Sequence, residues 1–241
     1  MQRTYRAATV NRRLSALLAF DAWSRAVGKR AGEPLRVRWQ KRAPAGPVGP
    51  DKTAQFKLLA EADRLVQAAA TGTPAARRQA LRDRAVLYLL LDACLRLSEI
   101  VQLCNADMTL PQRGQGQVVV RGKGNKERVV PLSARSKTAL VAWLAERGPG
   151  AETDYVFTGK REARLGPRGI QRRLAVLARR AGVTVSPHRL RHAGARNLIA
   201  AGVPLPEVSL LLGHSSLAVT GVYTVPTQAD VARGVARTYG E

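Results

Sequence analysis

A chain of 241 residues, 45% of them hydrophobic, is long enough to bury a sizeable core and too apolar to be disordered. Its 40 Lys and Arg against 17 Asp and Glu leave a formal charge of +23. That excess repels itself unless a polyanion neutralises it, and it is spread along the chain rather than gathered in a tail, so nucleic acid is the first partner to expect.

The first residues, "MQRTYRAATVNRR", are basic with no apolar run behind them, so no secretory signal is expected. Residues 8–28 have a helical pattern. Val10, Leu14, Leu17, Leu18 and Phe20 fall on one broad face, and Gly28 is the stop. The segment "KRAPAGPVGP", residues 41–50, has the proline and glycine content of a linker. The expected division is therefore 1–42, a linker at 43–50, and a large domain over 51–241.

The large domain has mostly helical composition. "FKLLAEADRLVQAAA" and "ALRDRAVLYLLLDACL" have helical composition and length. The second holds the most apolar run of the chain, but Asp92 interrupts it far short of the roughly 20 residues that cross a bilayer. Cys94 and Cys104 read as two reduced thiols of an intracellular, cytoplasmic protein. Arg96 ends this apolar helix on the sequence reading, and Ser98 looks like the cap of the next. In "QVVVRGKGNKERVVPL", residues 117–132, two β-branched runs flank a Gly-Asn dipeptide, which predicts a β-hairpin with Lys123 one residue before the turn. "KTALVAWLAERG" is helical. "GPRGIQRRLAVLARRAGV" is a basic amphipathic helix, with Ile170, Leu174 and Leu177 inward. The fold class expected is mainly α with a small β-hairpin.

The three histidines all lie between 188 and 214. In "SPHRLRHAGARNLIAAGV", Ser186 is a good N-cap, Pro187 suits the first helical position and Gly202 suits the stop. His188, Arg191 and His192 then share one face of a helix. A short helix, "PLPEVSLLLG", closes at Gly213, and His214 follows it; Tyr223 is nine residues further on. The histidine spacing could suit a metal. Yet Arg189 stands where a metalloprotease has its Glu, and a divalent cation would be repelled by Arg189 and Arg191. The alternatives are ordinary helix histidines or a phosphate site. Arginine forks match phosphate oxygens, and tyrosine oxygen can act as a nucleophile.

Taken together, these motifs resemble the tyrosine recombinases of the phage integrase family, nearest in style to Xer-type and transposon-borne enzymes. "CLRLSEI" supplies Arg96, "GKGNKERVVPL" supplies Lys123, "HRLRH" supplies His188 and Arg191, "LLGHSS" supplies His214 and "VYT" supplies Tyr223. The resemblance covers roughly residues 50–230 and implies a catalytic domain over 51–241. It implies that Tyr223 is the nucleophile, Arg96 and Arg191 clamp the phosphate, and His214 hydrogen-bonds it. Lys123 would be the acid, with Lys126 as runner-up, and His188 would assist. His192 matches the pattern and is expected to support packing. No cofactor, metal or ATP is implied. The implied partner is double-stranded DNA with its recombination sites and four-way junction. The implied assembly is a homo-tetramer, or one shared with a partner recombinase, and the segment "TQADVARGVARTYGE" is the candidate for docking on a neighbour. Two departures stand out. Cys94 replaces a glycine usual in the family two residues before the first Arg, so Arg96 is expected to sit slightly differently. Residues 8–28 resemble only the later part of the family's helical DNA clamp, so a shortened core-binding region is expected over 1–42. Rival readings are a type IB topoisomerase-like enzyme and a DNA-binding protein without chemistry.

Because charge dominates, affinity for duplex DNA should fall steeply between low and high salt, with a slope of about −0.9 per phosphate neutralised. A binding titration whose affinity is flat in salt would contradict this reading.

Overall fold

The computed structural model describes residues 7–41, 49–122, 127–147, 154–159 and 163–213. The chain divides into two compact units, 1–47 and 48–241.

In the first unit, helix α1 (Ala7–Ala26) ends two residues before the expected stop, and Gly28 takes a left-handed φ of 70°. The segment after it returns along the helix and is tied by polar groups. Asn11 exchanges hydrogen bonds of 2.9 Å with the backbone N–H and C=O of Gln40. The Asp21 carboxylate accepts from the Leu35 N–H at 2.9 Å and pairs with Arg30. The buried positions of α1 are consequently Asn11, Asp21 and Ser24. The expected apolar face is only half covered: Leu17 and Phe20 are 51% and 63% exposed. Its apolar arc is wider than one returning segment can cover.

The second unit is built around α3 (Pro74–Leu91), whose last six residues, Val86 to Leu91, are all buried. Thr73 caps its start through its hydroxyl, with Pro74 in the first turn. Helix α2 (Lys52–Ala69), capped by Asp51, packs on one side of α3 and α5 (Ala134–Arg147) on another. Asp92, just past α3, accepts two 2.6 Å bonds from Arg135 and others from Ser133 and Ser136, so it ties the end of α3 to the start of α5. Trp143 is fully buried against Phe157 and donates its indole N–H to the Val156 carbonyl.

The expected hairpin is formed by β2 (Gln117–Arg121) and β3 (Glu127–Pro131), paired antiparallel with Val120 opposite Arg128. A two-residue strand, β1 (Met108–Thr109), adds to β2, giving order β1-β2-β3 among the described residues. A strand that short leaves no periodic signal to read. In α6 (Pro167–Arg180), Ile170, Leu174 and Leu177 are buried as expected. Two of its arginines are used internally: Arg173 pairs with Asp83 and Arg180 with Glu61. Arg168, Arg172 and Arg179 are exposed. Helices α7 (Pro187–Ala200) and α8 (Leu205–Leu212) have the expected punctuation. The Ser186 hydroxyl accepts from the Arg189 N–H, and Gly202 and Gly213 have φ of 91° and 60°. Among the described residues no helix is long and apolar enough to cross a membrane.

The turn after α3 departs from expectation. The helix stops at Leu91, and Arg96 is not its last residue but the N-cap of α4 (Leu97–Gln102). Ser98 lies inside α4. The cap position expected for Ser98 falls on Arg96, whose backbone N–H donates to the Glu99 carboxylate at 2.8 Å. Cys94 lies in the turn that follows. It has φ of 52°, the described residues' one non-glycine in the left-handed region, so the cysteine adopts the geometry that glycine supplies more cheaply. It is fully buried, and burial pushes its thiol up to about 12. Gly194 of α7 meets this turn: a Cβ there would lie 1.9 Å from the Leu91 carbonyl oxygen and 2.6 Å from the Cys94 sulfur. Only glycine lets α7 approach so closely.

Cys94→Gly should therefore be more stable than Cys94→Ala by about 1 kcal/mol, because the left-handed penalty outweighs the extra chain entropy of glycine. Denaturant melts of the two variants decide the sign; alanine as the better residue would contradict the conformational reading. Gly194→Ala should cost on the order of 1–3 kcal/mol through overpacking in the same melts.

Candidate active site

Arg96 comes together with His188 and Arg191, a distant pair on one helix, where the α3–α4 turn meets α7 and the end of α8. Lys123, His214 and Tyr223 lie outside the described residues, as do Lys126 and Tyr239. Their flanks are described: β2 and β3 on either side of Lys123, and Gly213 immediately before His214.

The centre of the cluster is Glu99, which sequence reading did not single out. Its side chain is 3% exposed. Arg96 Nη1 donates to its Oε1 at 2.8 Å. Arg128, on β3, donates from Nη1 to Oε1 at 2.9 Å and from Nη2 to Oε2 at 3.0 Å. Arg191 Nη1 stands 3.8 Å from Oε2. Burial pushes the carboxyl upward, but hydrogen bonds from Arg128 and from the Arg96 backbone outweigh it, with the charges adding, and hold Glu99 below the usual carboxylate range.

The same three arginines also hold the end of α8. A helix leaves its last carbonyls unpaired and slightly negative. Here Arg128 Nε donates to the Leu211 carbonyl at 2.7 Å, Arg191 Nη2 to Leu212 at 2.6 Å, and Arg96 Nη2 to Gly213 at 3.2 Å. Arg191 completes its set by donating Nη1 to the Cys94 carbonyl at 2.5 Å. Its side chain is 3% exposed, whereas that of Arg96 is 36% exposed. Arg96 is thus the guanidinium that reaches solvent, and Arg191 supports it from beneath.

His188 and His192 are in contact through their ring nitrogens, with Nε2 to Nε2 2.6 Å and the rings edge to face. One nitrogen must donate and the other accept, so the contact excludes a doubly protonated pair. Loss of water around His188, then the charges of Arg191 and Arg96, lower its pKa. His192 is buried at 8% exposure, in keeping with a supporting place. Among the described residues, no three His, Cys, Asp or Glu side chains are grouped to hold a metal ion.

Glu99 and Arg128 were legible as types but not as a pair. Glu99 follows Arg96 by three residues in "RLSE", the spacing that lets an N3 carboxylate reach back to the N-cap N–H. Nothing in the sequence links Arg128 to it across 29 residues.

The site is thus a cluster of guanidiniums around one buried carboxylate, set on a mostly helical frame. Residues 58–229 match the model of the phage integrase family, and the chain belongs to that family. It is 37% identical over 218 residues to tyrosine recombinase XerC of Xanthomonas campestris pv. campestris (strain B100), a match that covers 90% of this chain and 63% of that protein. The chain thus spans less than two thirds of that relative's length. Its fold is similar to the crystal structure of XerA recombinase, with a TM-score of 0.67 and 24% identity over 82% of this chain and 67% of the other. It is also similar to XerH site-specific recombinase bound to difH substrate in a pre-cleavage complex, with a TM-score of 0.63 and 25% identity over 78% and 52% of the two chains.

Glu99, with its folded pKa depressed, contributes stability that is complete above the ordinary carboxylate pKa of about 4.3 and is lost as pH falls through the lower folded value. Glu99→Gln should flatten that acid limb, and at neutral pH should cost on the order of 3–5 kcal/mol by leaving buried arginines uncompensated. Melts from pH 3 to 7 that superimpose for the two proteins would contradict the central place given to this carboxylate.

Proposed function

We propose that the chain is a site-specific DNA recombinase that cuts and rejoins strands through a 3′-phosphotyrosine. The observation that carries this reading is the convergence of Arg96 and Arg191 on one buried carboxylate, beside His188. Family membership and a relative described as bound to its DNA substrate support it.

In this reading the Tyr223 oxygen attacks a backbone phosphate. A P–O bond forms to tyrosine, the bond to the 5′-oxygen breaks, and Lys123 gives that oxygen its proton. Arg96 and Arg191 bind the non-bridging oxygens as negative charge builds, each contributing on the order of 3 kcal/mol to barrier lowering. Both arginines are engaged with internal acceptors in the free protein, mostly neutral carbonyls. A doubly ionic guanidinium–phosphate contact is the stronger bond, so phosphate can displace those carbonyls. His188, its pKa lowered by loss of water and by the nearby arginines, takes the Tyr223 hydroxyl proton, and His214 donates a hydrogen bond to a phosphate oxygen. A 5′-hydroxyl of a partner strand then reverses the chemistry on the phosphotyrosine. Bond energy stays in the ester, so no ATP is needed, and the guanidiniums supply the positive charge a metal would otherwise bring.

The proposed partner is double-stranded DNA carrying two recombination sites, joined through a four-way junction by a tetramer of this chain. The proposed division is a core-binding region over 1–42, a linker at 43–50 and a catalytic domain over 51–241.

A nicked substrate that loses a short fragment on cleavage should trap a protein–DNA band that survives detergent and forms equally in excess chelator. Tyr223→Phe should bind DNA and give no band. A band that persists in Tyr223→Phe would place the nucleophile elsewhere, and a band abolished by chelator would revive the metal reading.

A further inference from the structure

We propose that Arg128 is a positioning residue for the phosphate clamp, resting on the recombinase reading above. It shares the Glu99 carboxylate with Arg96 and ties the last turn of α8 to the hairpin.

Each of the three nitrogens of the Arg128 guanidinium donates to an internal acceptor. Nη1 and Nη2 take both oxygens of Glu99, and Nε points the other way to the Leu211 carbonyl. Its side chain is only 10% exposed. Unlike Arg191, whose partners include neutral carbonyls that a phosphate can displace, Arg128 holds an ionised carboxylate with both terminal nitrogens, so it acts through its neighbours. One neighbour is Arg96. With Arg128 on both oxygens, Arg96 keeps a single side-chain bond to Glu99 and reaches outward. Without it, the lone pairs that Arg128 vacates would draw the Arg96 fork into a two-pronged pair, away from a phosphate. The second neighbour is the turn into His214. A Cβ on Gly213 would come within 2.8 Å of Arg128 Nη1, so the chain crosses the guanidinium immediately before that histidine. The base for all of this is β3, where Arg128 sits opposite Val120, next to the Arg121–Glu127 pair.

Arg128→Met keeps length and removes all the donors, and Arg128→Lys keeps charge but offers no planar fork. Single-turnover trapping on a nicked duplex should show cleavage falling on the order of 10²-fold in Arg128→Met, the loss expected for a misplacement of about 1 Å. Arg128→Lys should lie between it and the parent chain, with DNA affinity kept in both. The diagnostic substrate has a methylphosphonate at the scissile position, which lacks one charged oxygen. On it the Arg128→Met deficit should shrink, as for Arg96→Ala, whereas a 5′-thiol leaving group should not relieve it. An equal deficit on phosphate and methylphosphonate, or no deficit at all, overturns the proposal. If the parent chain traps no DNA, the recombinase reading fails, and nitrogen-15 NMR of the guanidiniums still decides the positioning. The Arg96 signals should move in Arg128→Lys; unmoved signals overturn it.

Discussion

One buried carboxylate carries this site. Glu99 lies almost out of reach of water, and an ion there survives only if positive groups and hydrogen bonds replace its hydration. Two arginines supply them directly, a third stands just beyond hydrogen-bond distance, and the Arg96 backbone adds a further bond. The arginines in turn cannot crowd together without it. At +23 the chain has many cations to keep apart, and Glu99 is what lets three of them meet.

From that meeting the rest of the site follows. The cluster faces the carbonyl end of α8, where the helix dipole is negative, and each arginine donates to one carbonyl there. Helix α7 must lie close enough for Arg191 to reach both Cys94 and Leu212, and a glycine at 194 makes that approach possible. Cys94 in turn directs its carbonyl at Arg191 by taking a left-handed backbone that a cysteine adopts only under constraint. Packing, backbone geometry and charge are thus one arrangement.

Periodicity and punctuation showed most of the fold in advance. The Ser186-Pro187 start, the glycine stops at 202 and 213, and the buried stripe of Ile170, Leu174 and Leu177 all lie where the pattern placed them. Three features were hidden for physical reasons. The two-residue β1 is too short to show a period. The covered face of α1 is set by Asn11 and Asp21 hydrogen-bonding a returning segment, which a hydrophobicity pattern cannot register. The early end of α3 is followed by a left-handed Cys94, and cysteine gives no hint of such a turn. Of the site, the residues read from local motifs were Arg96, His188 and Arg191, which the fold gathers. Glu99 and Arg128 act through tertiary pairing, which no local window contains. Lys123, His214 and Tyr223 lie outside the described residues and rest on their motifs.

The most direct measurement is a crystal structure of the Tyr223→Phe chain on duplex DNA. Arg96 and Arg191 should both lie within about 2.7–3.2 Å of oxygens on one phosphate, while Arg128 stays paired with Glu99. A complex in which Arg191 keeps its bonds to Cys94 and Leu212 and the nearest phosphate is bound elsewhere would contradict the account.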